Sequence, residues 1–357
     1  MSRRLGIILP PQDPNLSVAQ LVSLARLAED EGYDAVFTPE AFAYDALCVM
    51  TACAAATSRI QLGTAIVTLP VRTPVLTAMG SITIDNLSGG RFNLGLGMGH
   101  RRMQEGVHGL EFKPELRLMR EYVEIVNRFV AGEDMAVRGE RLRSTDGRVG
   151  TTPLRPHIPV YLAALLPGAV RLSGEVADGI LPYYATPTYL GRVLELLAEG
   201  AAKAGRDMAE IDVALMIPTW VTDDPAAARE IARGQIAWYN NFEFYNSMFR
   251  EAGFVEEADA LRAEWAAIEA DPVRKKIWEK SRDDADAHAG TARFVSDEMV
   301  DSIFVIGSAE ECARRIARYY DLGVTTPMVF PQGVYPSAEA AMAGYSATIR
   351  GTAGARG

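Results

Sequence analysis

Eight short apolar runs, each followed by an amphipathic stretch, succeed one another along this chain of 357 residues. They are Leu5–Pro10, Ala35–Glu40, Ile60–Val67, Phe92–Gly97, Val160–Leu165, Gly179–Pro182, Ile211–Val221 and Thr326–Phe330. Continuous apolar runs, rather than alternating ones, mark strands buried on both faces. Helices between such strands imply a parallel sheet. Eight units in one chain favour an α/β fold of the (β/α)8 TIM barrel type over an open doubly wound sheet.

The intervening helices carry their own signals. Ser17 and Gln20 have capping-box spacing, so a helix should begin there and stop at Gly32. Further helices are expected over 46–56, 74–87, 116–131, 168–176 and 188–204, with a long helical stretch over 225–270. Another starts at Ser308, again with Glu311 three residues on, and 338–349 closes the chain. Residues 136–143 should form a small hairpin turning at Gly139. The chain reads as a single domain over 1–357, because α/β barrels routinely exceed ~150 residues as one unit. A helical insert or lid is expected over about 225–296, after strand seven, and a loose tail over 350–357.

Composition narrows the function classes. Lys+Arg 36 against Asp+Glu 46 gives a net charge of −10, which argues against a nucleic-acid binder. No apolar run reaches the ~18 residues of a membrane span, and no signal peptide is evident. Cys48, Cys53 and Cys312 form no close pair, which fits a reducing cytoplasm. Zinc-protease, P-loop and serine-elbow motifs are absent. Asp13, Asp30 and Asp34 are too scattered to suggest a metal site.

Barrel enzymes place their chemistry at the C-terminal ends of the strands. The positions to inspect are therefore Glu40, Ala65 to Thr68, Gly97 to His100, Ala163 to Gly168, and Tyr183. Gly95-Leu96-Gly97-Met98-Gly99 leaves the fourth strand. It can be a bed for a phosphate or flat ring, or a response to tight barrel geometry. Ala164-Leu165-Leu166-Pro167-Gly168 leaves the fifth strand and enters a helix. The free N–H groups of that helix can hold an anion, or the segment is an ordinary turn. Arg72, Arg101 and Arg102 can pair with phosphate or close internal salt bridges. Glu40, His100 and His108 are candidate proton carriers, each with a structural role as the alternative.

Together these residues resemble a known family. Leu62-Gly63-Thr64-Ala65-Ile66, Arg72-Thr73-Pro74, Leu87 to Gly97, Glu175 to Gly179 and Gly307 to Glu311 are similar to the bacterial luciferase-like superfamily. Phe37 to Ala41 with Asp45, His108-Gly109 with Pro114, Arg120-Glu121 and Ser296 to Glu298 resemble its coenzyme F420 (deazaflavin) branch. The resemblance implies hydride transfer between that cofactor and an organic C=C, C=N or carbinol carbon. It implies a non-proline cis peptide at Ala65-Ile66 behind the cofactor ring. It places cofactor contacts at Ala65, Ile66, Thr68, Gly97, Met98, Gly99, His100, Ala163, Ala164, Leu166, Pro167 and Gly168. Glu40 and His100 are its implied catalytic residues, and a homodimer formed through helices near strands two and three its implied assembly. Many relatives carry histidine at Ala41 and tryptophan at Val107, so Tyr44, His100 and Glu105 are substitute acids. The alternatives are an FMN-dependent monooxygenase and a non-catalytic flavin-binding barrel.

Overall fold

The computed structural model describes residues 3–40, 43–280 and 290–356. Its strands β1 (Gly6–Ile8), β2 (Ala35–Thr38), β3 (Gln61–Thr64), β5 (Phe92–Gly97), β8 (Val160–Leu162) and β9 (Gly179–Ile180) pair in parallel, in chain order. A two-residue strand, β4 (Val67–Thr68), also pairs with β5. Next come β10 (Asp212–Val213) and β11 (Met216–Val221), two parts of one extended segment. β10 pairs with β9, while β11 pairs with β13 (Met328–Pro331), which pairs with β1. The Met216 N–H donates to Pro182 O at 3.0 Å. The sheet thus curls round to meet itself, as the eight-unit alternation requires. A hairpin of β6 (Val137–Arg138) and β7 (Arg143–Ser144) stands apart from it.

Two apolar layers hold this circuit. Ile8, Phe37, Tyr161, Leu181, Met216, Met328 and Phe330 fill the interior of the sheet. A larger layer lies between the strands and the helices α1 (Val18–Asp30), α2 (Ala46–Ala56), α3 (Pro74–Ser88), α4 (Leu116–Val130), α5 (Pro167–Val176) and α6 (Pro187–Lys203). In β2, Ala35 and Phe37 join the inner layer while Val36 joins the outer, which is why the run carries no polar alternation. Each fully buried Leu, Ile or Phe contributes about 1.5–3 kcal/mol.

The capping signals work as read. Ser17 and Gln20 form a reciprocal capping box on α1, and Ser308 accepts from the Glu311 N–H at the start of α12 (Ala309–Asp321). The family-like Leu87 to Gly97 segment is largely structural. Buried Arg91 donates to the carbonyls of Ala54, Thr57, Ile60 and Ser88, tying α2 to α3.

Three expectations need correction. The long stretch over 225–270 is three helices, α7 (Pro225–Asn240), α8 (Glu243–Glu251) and α9 (Val255–Ala270), followed by α10 (Pro272–Lys280). The apolar pattern runs on through the breaks at Asn241 and Gly253, so periodicity alone joined them. A short strand, β12 (Val305–Gly307), went unread between α11 (Asp297–Ile303) and α12; it pairs with the end of β11. The tail is not loose. Helix α13 runs over Ala338–Thr352, a 3-10 turn follows over Ala353–Arg356, and Ala355 is buried. Arg356 reaches Asp34 at 3.5 Å.

Candidate active site

The strand exits converge on a cavity of about 1400 Å3. Its floor is small and aliphatic: Ala65, Ile66, Gly97, Ala163, Leu181 and Met216. Its roof is aromatic and comes from α7 and α8: Trp238, Tyr239, Phe242, Phe244 and Tyr245.

One side of the floor is a bulge. Leu62 pairs with Phe92 and Val67 with Leu96, so five residue steps on one strand face four on the other. That is one extra residue in the β3–β4 segment. It falls at Ala65-Ile66, whose peptide bond is cis. The ladder is repaired by the Thr64 hydroxyl, which donates to Gly95 O at 2.8 Å and accepts from Gly95 N at 2.9 Å. Backbone anchors flank the bulge: the Ala65 N–H donates to Thr38 O and the Glu40 N–H to Ile66 O.

The three glycines at the end of β5 and just beyond it divide between the two readings the sequence left open. A Cβ on Gly95 would lie 1.7 Å from Thr64 O, so this glycine exists for barrel packing. A Cβ on Gly97 would meet Ile66 at 2.9 Å and Ala163 at 3.2 Å, and Gly97 lines the floor. Gly99 has φ 63°, the left-handed region that glycine enters without strain, and lines the cavity beside Met98 and His100.

The fifth strand exit leads into an uncapped helix start. Leu166 precedes α5 and its side chain caps nothing; Pro167 occupies the first turn without an N–H. The first-turn backbone, Gly168 and Ala169, faces the cavity with Ala164, Leu165 and Leu166. Among the described residues, the N-cap side chains of α4, α5, α8 and α9 accept no hydrogen bond from the helix they precede. The first three of these helices begin on the cavity wall.

Most sequence-selected residues meet here. Ala65, Ile66, Gly97, Met98, Gly99, His100, Ala163, Ala164, Leu166 and Gly168 line the cavity; Glu40, Thr68 and Pro167 do not. The Glu40 carboxylate accepts from the Thr68 N–H at 3.3 Å and lies 3.5 Å from Arg72, which also pairs with Asp45. It therefore braces the outside of the bulge. The His100 ring packs 4.7 Å from Phe242 and 6.5 Å from Trp238. Glu105 lines the cavity but is paired with Arg101 at 2.6 Å. Tyr44 donates to Leu16 O, and His108 is exposed and off the wall. Ala41 lies outside the described residues.

Tyr183 and Tyr239 belong to the site, and only the former stood at a strand exit in the sequence. Their rings meet edge-on at 5.5 Å. Burial pushes the Tyr239 hydroxyl up to about 12 and that of Tyr183 well above its ordinary value, so both are neutral donors. Tyr184, next along, is buried with φ 61°, a conformation costing roughly 1–2 kcal/mol outside glycine. It sits within an aromatic cluster with Tyr239 and Phe304.

A curled parallel sheet closes around a roomy cavity, with a bulge on one side of its floor and an uncapped helix start beside it. The chain belongs to the luciferase-like monooxygenase family, whose model matches residues 4–326. It is 32% identical to a Mycobacterium tuberculosis protein provisionally named a coenzyme F420-dependent oxidoreductase, over 90% of this chain and 91% of that one. An F420-dependent glucose-6-phosphate dehydrogenase of Beutenbergia cavernae is 34% identical over 59% of this chain and 66% of its own. In fold it matches the coenzyme F420-dependent tetrahydromethanopterin reductase of Methanopyrus kandleri, with TM-score 0.78, 23% identity and 98% of each chain covered.

Proposed function

We propose that this chain is a coenzyme F420-dependent oxidoreductase acting on an organic C=C, C=N or carbinol carbon. The observation that carries the reading is the junction of bulge and uncapped helix on one cavity. The residues fit the cofactor in three respects. The cavity exceeds the roughly 300–1,000 Å3 of an ordinary ligand site. Its floor offers Ile66 and the bare backbone of Gly97 and Gly99 to a flat ring. The first turn of α5 offers free N–H groups to a phosphate.

When bound, a deazaflavin supplies two-electron hydride chemistry and reacts poorly with oxygen. The chain's own residues bind, orient and exclude water. Ala65 and Ile66 would support the ring; Met98, Gly99, Ala163, Ala164, Leu166 and Gly168 would hold the rest, with Pro167 fixing the helix start. Glu40 and Thr68 act from behind, through Arg72 and the bulge. His100 is a group on the wall able to hold or move a proton, and the hydroxyls of Tyr183 and Tyr239 orient a substrate oxygen. The exposed faces of α2 and α3 carry Cys48, Ala55, Leu76, Met79, Thr83 and Leu87, without charge. They support a homodimer of single-domain barrels. Among the described residues no helix is long and apolar enough to cross a membrane, and a cytoplasmic setting fits the unpaired cysteines.

The family's monooxygenase description favours a second reading, oxygen activation with FMN. Titration with coenzyme F420 and with FMN, followed by oxygen uptake, separates them. Tight F420 binding without FMN binding supports the proposal; FMN binding with reductase-dependent oxygen consumption overturns it.

A further inference from the structure

We infer that the part of the cavity under the aromatic roof is a subsite for a planar aromatic substrate that carries no negative charge. This rests on the cofactor reading for what occupies the floor. An excess of several hundred Å3 over an ordinary site leaves room for a second flat molecule. The surface facing that room is a run of rings. Trp238 and Phe242 meet edge-on at 4.9 Å, Phe242 and Phe244 stack at 5.9 Å, and His100 lies beside Phe242. Aromatic faces prefer offset or edge contacts with another ring, and their negative faces attract cations and repel anions.

Counting charge gives the same sign. Among the described side chains on the wall, Arg101 is the one lysine or arginine, and it is occupied: Glu105 holds it at 2.6 Å and it stacks over Phe112. Glu115 is paired with Arg141, outside the wall. Glu243 and Glu269 line the cavity, and no ion pair to a described residue offsets either charge. Of the three helix starts on the wall, α4 begins at Glu115 and α8 carries Glu243 in its first turn. Only α5 presents an N-terminus clear of carboxylates. One anion site remains, and the cofactor's phosphate takes it. A substrate phosphate or carboxylate has none. The chain therefore parts from sugar-phosphate chemistry, despite its likeness to a glucose-6-phosphate dehydrogenase.

The test is calorimetric titration of the full chain, with and without coenzyme F420, using three naphthalenes of similar size and one sugar phosphate. 2-Acetylnaphthalene and (2-naphthyl)methylammonium should bind, 2-naphthoate about tenfold or more weakly, and glucose 6-phosphate not measurably. Phe242→Ala should weaken 2-acetylnaphthalene about tenfold. The surface pair Glu243→Gln with Glu269→Gln should tighten 2-naphthoate about threefold and leave the ketone unchanged. If 2-naphthoate binds as well as the ketone, or glucose 6-phosphate binds comparably, the inference falls. Should F420 fail to bind while the naphthalene ranking holds, the cofactor reading falls and the subsite stands.

Discussion

Replacing Thr64 by valine isolates the device that lets the bulge exist. Valine keeps the shape and the β-branching but removes the hydroxyl. Thr64 is fully buried, and its Oγ1 answers both the N–H and the C=O of Gly95. Both groups point towards β3, where the bulge has carried the partner strand's backbone out of register. The pairing of Val67 with Leu96 also turns the Val67 N–H towards Gly95 O, so the variant leaves one buried polar group, the Gly95 N–H, unmet. That costs about 1–3 kcal/mol. With roughly 2.1 cal/mol/K of unfolding entropy per residue, the 357 residues give about 0.75 kcal/mol/K, hence a fall of about 1–4 °C in Tm. Thr64→Ser retains the hydroxyl and should lose less than about 1.5 kcal/mol, the value of one methyl. Circular dichroism melts of both variants, with F420 titration alongside, measure the difference. If the valine variant melts with the serine variant, the hydroxyl is not what completes the ladder at Gly95.

Arg91→Lys should cost about 2–4 kcal/mol in urea unfolding, because an ammonium cannot serve the four carbonyls that the guanidinium reaches. Gly95→Ala should not yield folded protein, whereas Gly99→Ala should fold with a loss of about 1 kcal/mol and weaker cofactor binding; soluble yield and F420 titration rank them. Buried Glu29 is pushed up by desolvation, but the N–H groups of Ile60, Arg59 and Ser58 outweigh this and hold its pKa below the ordinary carboxylate value. Its stabilisation is thus present above about pH 4.3 and lost as pH falls through the folded value, so Glu29→Gln should flatten the acid limb of the stability curve. His157 is raised, chiefly by its hydrogen bond to Asp178. Its contribution is full below about pH 6.5 and fades as pH rises, so His157→Gln should remove less than about 1 kcal/mol of pH-dependent stability from that window. His100→Ala should lower kcat by about 100-fold or more in the F420-dependent reaction, while Glu40→Gln should act mainly on cofactor affinity, as a steady-state comparison with F420 titration would reveal.

What the sequence made legible is what local chemistry decides. The apolar runs located the strands because strands covered on both faces admit no polar alternation; β5 falls on 92–97 as read. Ser17 and Ser308 announced helix starts because their oxygens answer N–H groups within three residues. The unread features depend on groups distant in sequence. Glu29 was one more helix carboxylate until the fold set the 58–60 backbone against it. Gly95 and Gly99 look alike in the chain, yet one answers to Thr64 O across the sheet and the other to its own backbone dihedral. The roof was legible only as an aromatic run within the expected insert or lid. That Trp238, Phe242 and Phe244 turn over the mouth, and that Glu243 closes the start of α8 to anions, depends on where α7 ends. The floor of the site thus rests on segments bound to the barrel's own geometry, and its roof on helices outside the sheet. A chain can therefore resemble its family through β3, β5 and α5 while the roof over its cavity is set by where α7 ends and α8 begins.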